Sequence, residues 1–302
     1  MARARITAAL ACAGLGLAGS TTAQSLLYAL PGQGKNDLFG MSVAAAGDVN
    51  GDGLADVVIG ADQSPHGLGS PPTGAGYARV VSGTTGALLY AFHGDAGDDW
   101  FGTAVCGPGD VNGDGYDDIA VLAPQPGSAS YPPYVQGTPP GPGYLRILSG
   151  ANGAVLTNLV GSGTPGLFGH SMAAAGDVNA DGFPDIIVGE IGGLVWGYDP
   201  GIARIYSGLD GSLLHQLSVG DDGDWFGNSV DGAGDVDGDG YDDVVVGAPY
   251  FGPPVGLAAV YSGQSGLLIR AWLGNSIADE FGFAVAGAGD VNGDGVPDLV
   301  IA

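Results

Sequence analysis

Basic side chains are nearly absent: 7 Lys and Arg stand against 32 Asp and Glu in 302 residues, giving a formal charge of -25. That scarcity makes nucleic acid and an anionic membrane surface poor candidate partners, because both are held by cationic groups that release counterions from phosphates. Cysteine is almost absent too, at Cys12 and Cys106 only. Arg3 and Arg5, the apolar run Ile6 to Ala18 and the small residues Thr21-Thr22-Ala23 read as a signal peptide over residues 1–23, with the mature chain over 24–302. Its removal takes Cys12 away, so Cys106 has no partner for an internal disulfide, and stability must come from packing or metal. No other apolar run is long enough to span a membrane, which predicts a secreted or cell-surface protein. What is abundant is glycine, 60 residues, together with 19 prolines. A chain this rich in glycine is not mainly helical, and 45% hydrophobic residues suffice for a core.

An internal repeat of about 60 residues organises the chain. Five Phe-Gly segments, at 38–61, 100–124, 167–190, 225–250 and 280–302, each place the Phe nine residues before an Asp: Phe39 and Asp48, Phe101 and Asp110, Phe168 and Asp177, Phe226 and Asp235, Phe281 and Asp290. From the Ser of a Ser-Gly turn to the next Phe the interval is always 19 residues, as from Ser82 to Phe101. Four short strands fit each repeat: A after Phe-Gly (Ser42 to Ala46), B after the Asp loop (Val57 to Ile59), C before Ser-Gly (Tyr77 to Val81) and D after it (Ala87 to Phe92). Strict repetition of four short antiparallel strands predicts an all-β fold, a β-propeller of about five four-stranded blades. Ser25 to Leu30 matches strand D, and the fifth copy reaches only strand B at Ala302. The expectation is therefore a ring that closes imperfectly at five blades or an array that is longer.

Each A–B connection has the spacing of a calcium loop, with oxygen donors at positions 1, 3, 5 and 9, a carbonyl at 7 and glycine at 6 for the sharp turn. The candidate ligands are Asp48, Asn50, Asp52, Leu54 and Asp56; Asp110, Asn112, Asp114, Tyr116 and Asp118; Asp177, Asn179, Asp181, Phe183 and Asp185; Asp235, Asp237, Asp239, Tyr241 and Asp243; and Asp290, Asn292, Asp294, Val296 and Asp298. Half of the 32 acidic residues fall on these positions. The absence of Cys and His from the loops disfavours zinc and copper. Position 12 is not the Glu of an EF-hand but a strand B residue: Ile59, Val121, Val188, Val246 or Ile301. A metal-free Asx turn is the plain alternative for any one loop. Five loops that keep every donor argue instead for up to five Ca²⁺ ions, since packed carboxylates repel without a cation. Asp237 adds a carboxylate to the fourth loop, which is expected to bind tightest, and Ala180 replaces a glycine in the third.

Phe-Gly, the DVNGDG loop and Gly247-Ala248-Pro249 resemble the FG-GAP repeats of integrin alpha-subunit propellers and of related bacterial exported proteins. The resemblance runs over Leu26 to Ala302. It implies a propeller, usually of seven blades, with Ca²⁺ in the A–B hairpins. No segment matches the inserted adhesion domain of some integrins, so that mode of adhesion does not carry over.

Alternation of antiparallel strands puts the calcium loops and Ser-Gly turns at one end of the blades and the B–C and D–A connections at the other. Tyr131, Tyr134, Trp196, Tyr198, Tyr250 and Phe251 lie in the B–C connections, where they either stack on a ligand or pack on their own blades. Gly169-His170-Ser171-Met172-Ala173 has a nucleophile-elbow spacing but aligns with strand A of the other repeats. Arg79, Arg146 and Arg204 share one strand C position and predict pairing between blades. Cys106 replaces Ala44 in register as a small buried residue, and the acidic run Asp95 to Asp99 reads as a solvated turn. The sequence predicts an exported, calcium-binding, non-catalytic binding or adhesion module for an extracellular protein or glycan. The alternatives are an accessory domain of a secreted hydrolase, such as a phospholipase or polysaccharide-degrading enzyme, and a structural surface-layer component.

Overall fold

A computed structural model describes residues 26–34, 37–63, 74–97, 99–125, 141–161, 167–191, 201–221, 223–252 and 255–302. The expected signal peptide, and Tyr131, Tyr134, Trp196 and Tyr198, lie outside the described residues. Every helix or strand among the described residues is a strand.

The β-branched and small-residue runs pair in chain order, as short local hairpins favour. The first sheet is β1 (Ser42–Gly47), β2 (Asp56–Ala61), β3 (Tyr77–Val81) and β4 (Leu88–His93). The second is β5 (Val105–Gly109), β6 (Asp118–Ala123), β7 (Tyr144–Leu148) and β8 (Val155–Val160). The third is β9 (Leu167–Gly176), β10 (Asp185–Ile191), β11 (Ile202–Tyr206) and β12 (Leu213–Leu217). The fourth is β13 (Ser229–Gly234), β14 (Asp243–Ala248), β15 (Leu257–Tyr261) and β16 (Leu268–Leu273), and the fifth holds only β17 (Val285–Gly289) and β18 (Asp298–Ile301). All pairs are antiparallel meanders, the pattern of propeller blades. The strands expected as A, B, C and D are β1 to β4 within two residues at each end.

The first strands β1, β5, β9, β13 and β17 pack each against the next, so the sheets share an inner edge. Four apolar clusters fill the spaces between consecutive blades. Between the first two, Val58, Ala78 and Val80 meet Phe101, Ile119, Val121 and Ala123, all of them fully buried. Between the last two, Val245, Ala258 and Val260 meet Val285, Leu299 and Ile301. Strand B serves both sides: alternate residues face the preceding and the following blade, which is why it reads as a continuous apolar run.

Serines of strand A tie neighbouring blades. Ser171 Oγ donates to the carbonyl of Gly227 at 2.8 Å, and Ser42 Oγ accepts the N–H of Val105 at 3.1 Å. Ser171 thus has the bridging role of the repeat. Cys106 is buried as expected, and burial pushes its thiol up to about 12, out of the reactive range.

Candidate metal centre

Each acidic loop starts from a bulge at the end of strand A. A glycine with positive φ, between 64° and 106°, precedes the first Asp in all five repeats: Gly47, Gly109, Gly176, Gly234 and Gly289. That left-handed residue turns the chain out of the strand, a conformation cheap only for glycine.

Within the loops the carboxylates are fixed by backbone N–H groups. The position 1 Asp accepts the N–H groups of positions 5 and 6 at 2.7 to 3.1 Å in every repeat. The position 5 Asp accepts the N–H of position 7 at 2.9 to 3.1 Å. These bonds set the carboxylates of positions 1 and 5 on one tight turn. Position 3 varies: Asn112 and Asn179 donate to Asp114 and Asp181, whereas Asn50 turns to Asp56.

Position 9 is different in kind. Asp56, Asp118, Asp185 and Asp243 are buried, and each accepts the N–H of loop position 2 with one oxygen and the N–H of a Ser-Gly turn with the other. For Asp118 the donors are Val111 and Gly150, both at 2.9 Å. This carboxylate clamps the A–B loop to the C–D turn of its own blade. Burial first, then the nearby loop carboxylates, push Asp118, Asp185 and Asp243 up to about 6 against the two N–H bonds that lower them.

In the fourth loop, carboxylate oxygens of Asp235, Asp237 and Asp239 lie within 4.8 Å of one another, the only group of three His, Cys, Asp or Glu found so close among the described residues. An oxygen-only donor set with three or four carboxylates, held open on a tight turn, fits a hard divalent cation of Ca²⁺ type. Position 12 residues are strand core, as expected from the pattern: Val121, Val188 and Val246 are buried.

Ala180, at loop position 4, adopts φ +56° where the other repeats have glycine at φ 73° to 78°. A left-handed alanine costs about 1 kcal/mol. Ala180→Gly should therefore raise the stability of the apo protein by about that amount, read as a small upward shift in thermal melting; an unchanged or lower melt would contradict the strain.

At the opposite end of the blades two expectations need correction. The acidic D–A connection is solvated at Asp95 but not at Asp99. Asp99 is buried and accepts the N–H groups of Asp95 and Ala96, the Tyr144 hydroxyl and the Gln125 side chain at 2.9 to 3.0 Å. Asp37 does the same with Gln33, Gly34 and the Tyr77 hydroxyl; burial alone would raise its carboxyl, but these bonds together lower it. Asp224 and Asp279 close the corresponding turns of the last two blades. The signal was in the sequence: an Asp stands two residues before Phe in four of five repeats. Where the third repeat lacks it, β9 starts at Leu167 and is the longest strand.

The strand C arginines pair within a blade and its D–A connection, not between blades. Arg146 pairs with Asp95 and sits over Tyr144, 4.7 Å from the ring centre. Arg204 pairs with Glu190, its neighbour on β10, and Arg79 donates to the Pro31 carbonyl at 3.0 Å. Of the B–C aromatics, Tyr250 meets Trp225 edge-on at 4.6 Å and Phe251 packs against the third interblade cluster, so both support their own blade.

The fold is that of propeller blades, each with an acidic hairpin between its first two strands. The FG-GAP repeat family matches residues 39–81, 101–145, 168–199 and 226–266, more than half of the chain, and the chain belongs to that family. It is similar to integrin alpha-5 of Xenopus laevis, 29% identical over 68% of this chain and 20% of that protein. It is also similar to integrin alpha-8 of Mus musculus, 31% identical over 80% of this chain and 22% of that protein. The chain thus spans about a fifth of the length of these relatives. Among solved structures it is similar to the rhamnogalacturonan lyase YesW, at 18% identity and a TM-score of 0.48, covering 86% of this chain and 47% of that one. A likeness of that degree says nothing of activity. No helix of the described residues is long and apolar enough to cross a membrane.

Proposed function

We propose that the chain is an exported, non-catalytic binding module whose A–B loops hold Ca²⁺ and whose opposite end, formed by the B–C and D–A connections, takes an extracellular protein or glycan. The observation that carries this reading is the division of labour between the two ends. One end repeats an oxygen-donor hairpin five times, and at the other the repeat varies in length only in its B–C connections. A rigid scaffold with variable loops on one rim is the usual arrangement for recognition. The family supports a calcium-loaded extracellular role, because integrin alpha chains are among its close relatives. Calcium supplies charge neutralisation to the loops; the chain's own residues position the donors and hold the blades. The repeat accounts for Ser171, which bonds to the next blade, and for Cys106, which is buried.

A glycan and extracellular-protein array tests the reading. Binding should be lost with Trp196→Ala combined with Tyr134→Ala while the melting curve stays unchanged. A hit that survives the double substitution, or one abolished equally by changes to the calcium loops alone, would place recognition elsewhere.

A further inference from the structure

Loop position 8 faces the acidic loop of the preceding blade, and from the second blade onward its residue alternates: Asp117, Pro184, Asp242 and Pro297. The two aspartates make the same pair of bonds. Asp117 accepts the Asp48 N–H at 2.7 Å and donates its own N–H to the Asp48 carbonyl at 3.2 Å. Asp242 accepts the Asp177 N–H at 2.8 Å and donates to the Asp177 carbonyl at 3.1 Å. Both carboxylates lie so close to the strand-end glycine that a side chain at Gly47 or Gly176 would collide with them. Proline has neither an N–H nor a carboxylate, so Pro184 and Pro297 can form neither bond and only pack against Gly109 and Gly234. Ring contacts do not separate the two kinds of junction, since Tyr116 lies against Gly51 and Phe183 against Gly113.

Each aspartate joins candidate ligands of two loops. Asp242 stands between Tyr241 and Asp243, positions 7 and 9 of the fourth loop, and holds both the N–H and the carbonyl of Asp177, position 1 of the third. Asp117 stands likewise between Tyr116 and Asp118 and holds Asp48. Ordering one loop of such a pair therefore fixes backbone that the other must otherwise order for itself, which is the condition for positive coupling between two sites. Repulsion between neighbouring cations acts at every junction alike and does not produce the alternation. We infer, on the reading that these loops hold Ca²⁺, that they work as two coupled pairs, the first loop with the second and the third with the fourth. Asp117 and Asp242 are the positioning residues that carry the coupling, and loops that meet across Pro184 or Pro297 have no positive coupling. Loss of either member of a pair should weaken calcium binding by the other about fivefold or more, and linkage makes the effect reciprocal.

A double-mutant cycle tests the pairing, read as the unfolding free energy of each full-length chain in calcium minus that in chelator. Asp181→Ala and Asp239→Ala remove exposed carboxylates of the third and fourth loops. Each should lose its own site and weaken its partner, so the two losses overlap and the double variant loses less than their sum. Asp114→Ala with Asp181→Ala, whose loops meet across Pro184, should lose the full sum or more. Asp242→Pro copies the other junctions and should remove the overlap between the third and fourth loops, whereas Asp242→Asn keeps an acceptor and the N–H and should preserve it. Additive losses for the third and fourth loops, equal overlap in both pairs, or overlap that survives Asp242→Pro would overturn the coupling and leave calcium binding in place. A wild-type chain that calcium does not stabilise would instead contradict the calcium reading itself. Should Asp242→Pro fail to fold, Pro184→Asp approaches from the other side: it should make the losses of Asp114→Ala and Asp181→Ala overlap, and losses that stay additive count against the coupling.

Discussion

Asp118→Ala should lower the stability by about 2 to 4 kcal/mol, with calcium or without it, while Asp114→Ala four residues earlier should leave the chelated protein nearly unchanged. The contrast follows from what each carboxylate touches. Asp118 is fully buried and is the acceptor for the N–H groups of Val111 and Gly150. Truncation strands two buried donors, each costing roughly 1 to 3 kcal/mol, partly offset because a buried carboxylate is itself costly to ionise. In a chain of this size that corresponds to roughly 5 to 10 °C in melting temperature. Asp114 is exposed and accepts only the N–H of Tyr116 and a bond from Asn112, groups that water satisfies equally well. Its loss should instead remove one calcium site. Equal melting of the two variants in chelator would show that position 9 has no structural role of its own.

Removing calcium from the loaded protein should lower its melting temperature by roughly 10 °C or more. A ligand held at about a hundred times its dissociation constant adds about 2.7 kcal/mol per site, and several sites act together. The effect should depend on pH in a defined direction. Without a cation, Asp118, Asp185 and Asp243 hold their protons up to about 6, against an ordinary value of 3.8. The folded chain therefore binds more protons than the unfolded chain between about pH 4 and 6, and the stability these groups contribute falls as pH rises through that window. A cation binds the ionised form and reverses the trend. The gap between loaded and chelated melting temperatures should widen from pH 5 to pH 7.5; a gap constant with pH would contradict metal contact with these carboxylates.

The blade was legible because its spacing is rigid: Phe to Asp at nine residues and Ser to Phe at 19 left only one connection free to vary. The strands, the A–B hairpins and the core role of position 12 followed directly. Less legible was the meaning of acidity. Asp95 and Asp99 look alike in sequence, yet one is exposed beside Arg146 and the other is buried under Tyr144. The recurrence of Asp two residues before Phe carried the distinction, whereas the charge alone did not. Likewise position 9 looked like one ligand among five, and only the partner N–H of Gly83, Gly150, Gly208 or Gly263, some 20 to 32 residues away, marks it as a clamp. Pairing of the arginines was anticipated but not its direction, because a strand position says nothing of which side chain folds back over it.

Counting bound calcium on the purified chain by equilibrium dialysis, with Asp237→Asn in parallel, tests the central claim most directly. The account predicts several ions per chain, up to five, with the tightest class weakened in the variant because the fourth loop alone gathers Asp235, Asp237 and Asp239 within 4.8 Å. A chain that binds no calcium at neutral pH while melting cooperatively would contradict it, and would leave the acidic hairpins as turns held by their backbone N–H groups alone.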